Sequence, residues 1–484
     1  MQFKSAASVL AVCEFCKTTL LKDAASITDL GKMAEVLEDY SPLQIGTSGR
    51  FGGRGFSLVG RIQLRYDAGF WNEWYALFDD GSTGWLSDAS GQYAMTFLEP
   101  IETELPLFDK LAVGRVLHLG GQTFVTSDVR TARCTGGQGE LPFKVGQGWE
   151  ARVADFRVAD RFMSLDYSDA AEPGGASRTA ASRTGAPAVY MGQAVRLADL
   201  AAQLLRDIDR ITDSAGRYRG KVTALDCPSC GAPVRCVPGI TVQLMCPSCH
   251  AAVDTTGAVA TVLDRGAAVE KVRFTLELGS EAMIDGTRHA VLGALRRTES
   301  DGSSSWNEYF LYAPGRPFVW IVESDAGWQR VDVLDRWPAW DGAARAQLDS
   351  KTFTRIADYG ARVVFAVGSF NWRVAVGDQN RVIEFENGRE RLAAEESDQE
   401  ITWSRAVGVA LDQVRAWFGE HVHAEALPHP PYVDKARGIL LAFAAVNAIP
   451  LLFAPEYSFP YALLGAAAIY LPAYFLDRLD GRET

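Results

Sequence analysis

The sequence predicts a mainly β protein: two repeated β-rich domains of barrel or sandwich type, each preceded by a cysteine-bearing ribbon, with an α-helical hairpin at the C-terminus. Three observations carry that reading. Strand-like runs such as FSLVGRIQLRY and WNEWYALF alternate with Gly- and Asp-rich turns, for example Asp79-Asp80-Gly81, at the roughly 8–12-residue spacing of an all-β domain. A long internal repeat duplicates these runs. Two charge-free apolar runs, Gly438 to Ala454 and Phe459 to Phe475, close the chain.

The elements follow in order. Residues 1–26 contain Cys13-Glu-Phe-Cys16, a single Cys-x-x-Cys pair. MQFKSAASVLAVCEFCKTTL lies over VRCVPGITVQLMCPSCHAAV, with Cys13 on Cys246 and Cys16 on Cys249. Two thiolates do not close a tetrahedral site, so this is an incomplete zinc ribbon whose first knuckle would precede Met1. A start codon further upstream is the expectation, and a lost half-ribbon the alternative. As it stands, the pair is either unmetallated or completed by another chain. Residues 27–168 form the first β-rich domain, opening on a short helix over 27–42 that Pro42 ends. Residues 169–190 read as a flexible linker, because 170–187 are almost entirely Ala, Gly, Ser, Thr, Arg and Pro. In 191–220, Leu197, Leu200, Leu204, Leu205 and Ile208 recur at helical spacing. That stripe predicts an amphipathic helix packed on a β-domain, with an extended first half as the alternative.

Residues 221–255 carry the most specific motif. Cys227/Cys230 and Cys246/Cys249 are two pairs separated by fifteen residues. Thiolates on tight turns bring four soft ligands onto one tetrahedral ion, which predicts structural zinc. A redox pair or a disulfide is the competing reading. Pro228 and Gly231 bracket the first knuckle, Pro247 follows the same plan, and Val234 to Met245 alternates like a short hairpin. Cys236 reads as a hairpin residue and His250 as a neighbour of the site. Six of the eight cysteines lie in Cys-x-x-Cys pairs, a usage that suits metal in a reducing compartment.

Residues 256–420 are the second copy. Phe70-Trp71-Asn72-Glu73-Trp74-Tyr75 matches Ser305-Trp306-Asn307-Glu308-Tyr309-Phe310 at an offset of 235, against 233 at the cysteines. GWLSDASGQY likewise echoes VWIVESDAGW, and Val407 to Phe418 is again helical in pattern. Residues 421–436 form a hinge stiffened by Leu427-Pro-His-Pro-Pro431. There His421 and His423 read as solvated, with metal or headgroup contact as the alternative. Residues 437–476 are the expected transmembrane hairpin and 477–484 a cytoplasmic tail. Each apolar run is close to the lower limit of about 17 residues for a span. Lys435, Arg437, Arg478 and Arg482 flank the hairpin, while its loop carries only Glu456. The positive-inside rule then places both ends, and the bulk of the chain, on the cytoplasmic side of the inner membrane. A buried hairpin in a soluble core is the other reading. Asn447 and Pro450 are expected to face the second span. The hairpin is too small to form a pore without oligomers.

The net charge of −12 and pI near 5.2 argue against a polyanion partner, so nucleic acid is disfavoured. No Gly-x-Ser-x-Gly or His-Glu-x-x-His pattern occurs, and GTSGRFGGRGF lacks the Lys-Ser/Thr ending of a phosphate loop. The ligand-binding candidates are Trp71, Glu73, Trp306 and Glu308. On a strand, Trp71 and Glu73 share one face and Asn72 and Trp74 the other, as do their counterparts in the second copy. A carboxylate beside an aromatic wall could bind a small cation or act as a general acid of raised pKa. A core tryptophan with a structurally bonded glutamate is the third reading.

SAASVLAVCEFC, MAEVLEDYSPLQIGTSGRF, GRIQLRY, FWNEWY, WNEYFLY and EITWSR together resemble bacterial proteins carrying the domain of unknown function 4178, in two copies over most of residues 1–420. The resemblance implies N-terminal Cys-x-x-Cys ribbons, from which the missing first knuckle departs. It also implies a setting beside a decarboxylase-like polyamine-biosynthesis protein and small membrane proteins, hence a link to polyamine or envelope-stress physiology. It implies no catalytic residue. The expectation is a membrane-anchored, zinc-binding, cytoplasm-facing scaffold that binds a partner protein or a small cationic ligand. The alternative is an enzyme acting on a polyamine-type substrate through Glu73 or Glu308.

Overall fold

The computed structural model describes residues 10–12, 18–22, 27–32, 39, 41–143, 149–168, 187–207, 225–234, 236, 241–255, 261–264, 272–313, 316–340, 342, 344–420, 422, 432–453 and 455–480. In the first unit, eight strands run β1 Arg54–Tyr66, β2 Gly69–Phe78, β3 Thr83–Ala89, β4 Gln92–Glu99, β5 Gln122–Leu141, β6 Glu150–Val158, β7 Arg161–Asp166 and β8 Ala188–Val195. The second unit repeats them as β9 Thr287–Glu299, β10 Ser305–Tyr312, β11 Val319–Ser324, β12 Gly327–Val333, β13 Lys351–Phe370, β14 Gln379–Asn387, β15 Glu390–Glu396 and β16 Ile401–Val409.

Each set closes on itself. The antiparallel order β1-β2-β3-β4-β8-β7-β6-β5 returns to β1, and β9-β10-β11-β12-β16-β15-β14-β13 returns to β9. The protein is therefore two eight-stranded barrels. The twenty-residue strands β5 and β13 make closure possible. The first half of β5 pairs with β6 and its second half with β1, the register shifting at a bulge between Cys134 and Gly136. Near its end lies Gly139 at φ 68°, where a Cβ would sit 2.2 Å from the Val59 carbonyl oxygen. Gly368 of β13 takes the same place at φ 91°, 2.4 Å from the Leu292 oxygen. Only glycine accepts both the backbone conformation and the approach.

The last residues of β5 and β13 also hold the ribbons. Leu10–Val12 pairs antiparallel with β5, Leu10 opposite Leu141 and Val12 opposite Gly139. Gln243–Met245 pairs with β13, Gln243 opposite Phe370 and Met245 opposite Gly368. The strands Thr18–Lys22 and Ile27–Lys32 extend the first ribbon sheet, and Ala252–Asp254 and Thr261–Asp264 the second.

Four expectations are corrected here. Ile27–Lys32 is a strand hydrogen-bonded to Thr18–Lys22, not the start of a helix over 27–42. Ala188–Val195 is the eighth barrel strand, filling the slot between β4 and β7, so it belongs neither to a linker nor to an amphipathic helix, and the extended alternative holds for 191–195. A 3₁₀ turn, Leu197–Leu200, follows it, and residues 208–220 of the expected helix lie outside the described residues. Val407 to Val409 stay in β16, where β12 supplies their partners, and helix α1 spans only Leu411–Phe418. Instead of one hairpin over 234–245, Leu225–Asp226 pairs with Pro233–Val234 and Gln243–Met245 pairs with Ala252–Asp254, so each knuckle closes its own hairpin. Residues 169–186 of the expected linker lie outside the described residues.

The apolar cores lie partly outside the barrels. Trp74, Phe78, Leu86 and Met95 face outward under Leu43 and Leu200. In the second copy Tyr309, Leu311 and Ile321 lie under Val414 and Phe418 of α1. The barrels also join each other. Val129 N–H donates to the Gln399 carbonyl at 3.0 Å, Trp337 N–H to Ala159 at 3.0 Å and Arg373 N–H to Ala68 at 2.9 Å, while Arg130 pairs with Glu400.

Helices α2 Tyr432–Phe453 and α3 Pro455–Asp480 form the C-terminal hairpin. Glu456–Phe475 is long and apolar enough to cross a membrane, whereas the apolar stretch of α2 is the shorter Ala436–Ala448. A Cβ at Gly465 would lie 2.5 Å from the Phe443 ring, so that glycine lets the helices approach. The Asn447 amide donates to the Phe443 carbonyl of its own helix at 2.8 Å instead of reaching across. The link to α3 comes from Ser458, whose hydroxyl donates to the Pro450 carbonyl at 3.1 Å.

Gly368→Ala is expected to cost about 1–3 kcal/mol and Gly408→Ala, on open β16, almost nothing, measured by denaturant unfolding.

Candidate functional site

Among the described residues, chemically able side chains gather in the four-cysteine cluster and in the interiors of the barrels.

The cluster is built by two like turns. Gly231 N–H donates to the Cys227 carbonyl at 2.8 Å, and His250 N–H donates to that of Cys246 at 2.8 Å. Gly231 at φ 73° and His250 at φ 57° occupy the same left-handed position of the two knuckles. His250 is thus a turn residue with its ring edge-on to Phe365, 5.2 Å away between centroids. The four sulfurs of Cys227, Cys230, Cys246 and Cys249 all lie within 4.8 Å of one another and could hold a metal ion. Cys227 Sγ is 3.7 Å from Cys249 Sγ, and Cys230 Sγ is 3.8 Å from Cys246 Sγ. These distances are far beyond a disulfide bond of about 2.05 Å. Cys236 packs beside the cluster without joining it. Cys13 and Cys16 lie outside the described residues.

The Trp-Asn-Glu motifs divide between two faces. Asn72 turns outward into a buried network: Arg61 donates to its Oδ1 at 2.7 Å, and its amide donates to Asp39 at 2.7 Å. Asn307 makes the matching contacts with Arg296 and Glu323, both at 2.9 Å. Beside Asn72, a cavity of about 20 Å³ lined by Asp39, Asp88 and Asn371 has room for one water. Burial, aided by the Asp39 charge, pushes the Asp88 carboxyl up to about 7.

Trp71, Glu73, Trp306 and Glu308 point into the lumens. Trp71 Nε1 donates to Glu73 at 2.9 Å, and the Ser87 hydroxyl of β3 donates to it at 2.8 Å. Asp155 of β6 and Asp166 of β7 act on Glu73 electrostatically from the far wall. Burial pushes the Glu73 carboxyl up to about 8, against the Ser87 hydrogen bond and with the Asp155 charge adding to it. In the second barrel Trp306 Nε1 donates to Glu308 at 2.6 Å, and Arg297 reaches both Glu308, at 3.2 Å, and Glu395, at 2.9 Å, across the lumen. Those two carboxylates hold the guanidinium charged against the cost of burial. One end of each lumen is plugged by rings: Tyr75, Trp85, Phe143 and Trp149 in the first, Phe310, Trp320 and Trp372 in the second.

Sequence reasoning found the motif but missed Arg297, Asp155, Asp166, Glu384 and Glu395. A strand-by-strand overlay of β6–β7 on β14–β15 would have found the acids. Asp155 opposes Ser164 as Glu384 opposes Ala393, and Asp166 opposes Val153 as Glu395 opposes Val382.

Glu73 binds its proton more tightly folded than unfolded, so its contribution to stability is present below its ordinary 4.5 and lost as pH rises through about 8. Glu73→Gln is expected to flatten the fall in stability over that window by about 1–3 kcal/mol, read from urea midpoints at several pH values.

No curated protein and no solved structure matches the chain. One family does, in two stretches, residues 44–185 and 277–410, together more than half of the chain and each falling on one barrel. With both barrels matched, the chain belongs to the family described as domain of unknown function DUF4178 and carries two copies of that domain.

Proposed function

We propose that the protein is a zinc-braced, membrane-tethered binding protein that displays two barrels on the cytoplasmic face of the inner membrane to hold a partner protein or a small cation, polyamine-type cations included. The observation that carries this reading is the closed sulfur cluster on the β13 edge. Tetrahedral zinc with bonds of about 2.3 Å sets its sulfurs about 3.8 Å apart, and two of the edges here measure 3.7 and 3.8 Å. Four protein ligands leave no position open to a substrate, so such a metal braces the fold and does no chemistry.

The tether rests on the hairpin. Leu452, Phe453 and Tyr457 are 77, 85 and 78 % exposed at its turn, a surface that water does not favour and lipid does. Basic residues flank both ends and Glu456 alone marks the turn, which supports the cytoplasmic orientation. A second reading, an enzyme using Glu73 as a general acid on a cationic substrate, is favoured by a carboxyl that keeps its proton to about pH 8.

Metal analysis of the purified chain should find zinc, and Cys246→Ser should abolish the content of this site; a metal-free wild type would sink the zinc assignment. Removal of residues 432–484 should move the protein from the membrane pellet to the soluble fraction; a truncated chain that still pellets overturns the tether.

A further inference from the structure

The two lumens share one plan and differ in one charge. Leu64 stands directly opposite Trp71 across β1 and β2, and Arg297 stands directly opposite Trp306 across β9 and β10. The same registers equate Glu73 with Glu308, and Asp166 with Glu395. In the second barrel the Arg297 guanidinium bridges the two acids and lies 5.8 Å from the centre of the Trp306 ring. The first barrel keeps the tryptophan and both acids but has an aliphatic side chain where the guanidinium starts.

Glu73 forms no ion pair among the described residues; its partners are Trp71 and Ser87. Two arginines share this lumen: Arg130 pairs with Asp128 and Glu400, Arg157 donates to the Asp335 carbonyl at 3.4 Å, and both attract Asp155, while neither contributes to the electrostatics of Glu73. Facing inward, Glu73, Ser87, Asp155, Ser164 and Asp166 are half-buried residues. The repulsion that Asp155 and Asp166 exert on Glu73 is relieved by a cation, and the indole of Trp71 beside it adds attraction for an organic one.

We propose that the lumen of the first barrel takes up a guanidinium or primary ammonium cation from solution, in the place that Arg297 fills in the second barrel. This deepens the binding-protein reading and rests on it. The second barrel is the same site already occupied by its own side chain. A planar guanidinium can donate to Glu73 and to Asp166, whose Oδ1 also accepts the Ser168 N–H at 2.8 Å, as Arg297 does to Glu308 and Glu395. The bound cation ionises Glu73, so uptake near neutral pH expels a proton. Asp155 and Asp166 face Glu73 from β6 and β7, with Asp128, Arg130 and Arg157 further along the wall.

The test is calorimetric titration of the detergent-solubilised full chain with n-propylguanidinium chloride, which is the arginine side chain alone. Wild type should bind one equivalent saturably, about fivefold more weakly at pH 7 than at pH 8 because the Glu73 proton must leave. Glu73→Gln should weaken binding at least tenfold. Glutamine keeps the shape and the acceptor oxygen of the protonated carboxyl, so this variant keeps its fold. Leu64→Arg should fill the site and abolish uptake, and Arg297→Leu should add a second equivalent. No saturable binding by a wild-type chain that retains zinc and membrane association overturns this proposal alone, whereas loss of those properties strikes at the reading beneath it. Equal affinity in wild type and Glu73→Gln also overturns it.

Discussion

Everything in each unit depends on one long strand meeting its first neighbour. β5 and β13 belong to one side of the sheet over their first half and to the other side over their second. Without that crossing the eight strands would form an open sheet with two bare edges, an invitation to aggregate. With it, every strand acquires an inside and an outside, and a period-two sequence such as Trp-Asn-Glu-Trp is sorted into lumen and shell. The crossing demands glycine where backbone meets backbone, at Gly139 and Gly368. Just past it the strand end is free to receive a ribbon, which explains why ribbon and barrel are duplicated as one unit.

The polarity of these barrels is partly inverted. Their outward faces bear large apolar side chains under short covering segments, while the lumens hold acids, arginines and a serine beside a plug of aromatic rings. Inward acids are tolerable only with compensation, and for the glutamate beside the tryptophan the two copies supply it differently. The second uses a guanidinium. The first holds a proton on Glu73 and lends it two hydrogen-bond donors. A duplicated architecture has thus been given two electrostatic solutions, and that difference, more than any motif, separates the barrels in chemistry.

The sequence made some of this readable. Alternation and turn residues marked the strands, the repeat marked the duplication, and the cysteine spacing marked the cluster. It concealed the eighth strand of the first unit, because AVYMGQAV follows a low-complexity stretch and runs into leucines spaced like a helix. It also concealed the lumen. Glu73 and Asp166 lie far apart in the chain on strands that do not pair, and Arg297 meets Glu395 across ninety-eight positions. Periodicity says which face a residue takes, but not which of two faces closes into an interior; only the β5–β1 and β13–β9 pairings decide that. The sequence reads His250 as a neighbour of the site; the left-handed turn position that it shares with Gly231 is visible only in the backbone.

Asp254 sits on the ribbon strand Ala252–Asp254, which begins three residues after Cys249. Its carboxylate lies 2.9 Å from Arg373, just beyond β13, and 3.5 Å from Arg65 of β1 in the other barrel. The ribbon is therefore more than an appendage of the second unit. It sits as a keystone between two arches, one carboxylate reaching an arginine on either side.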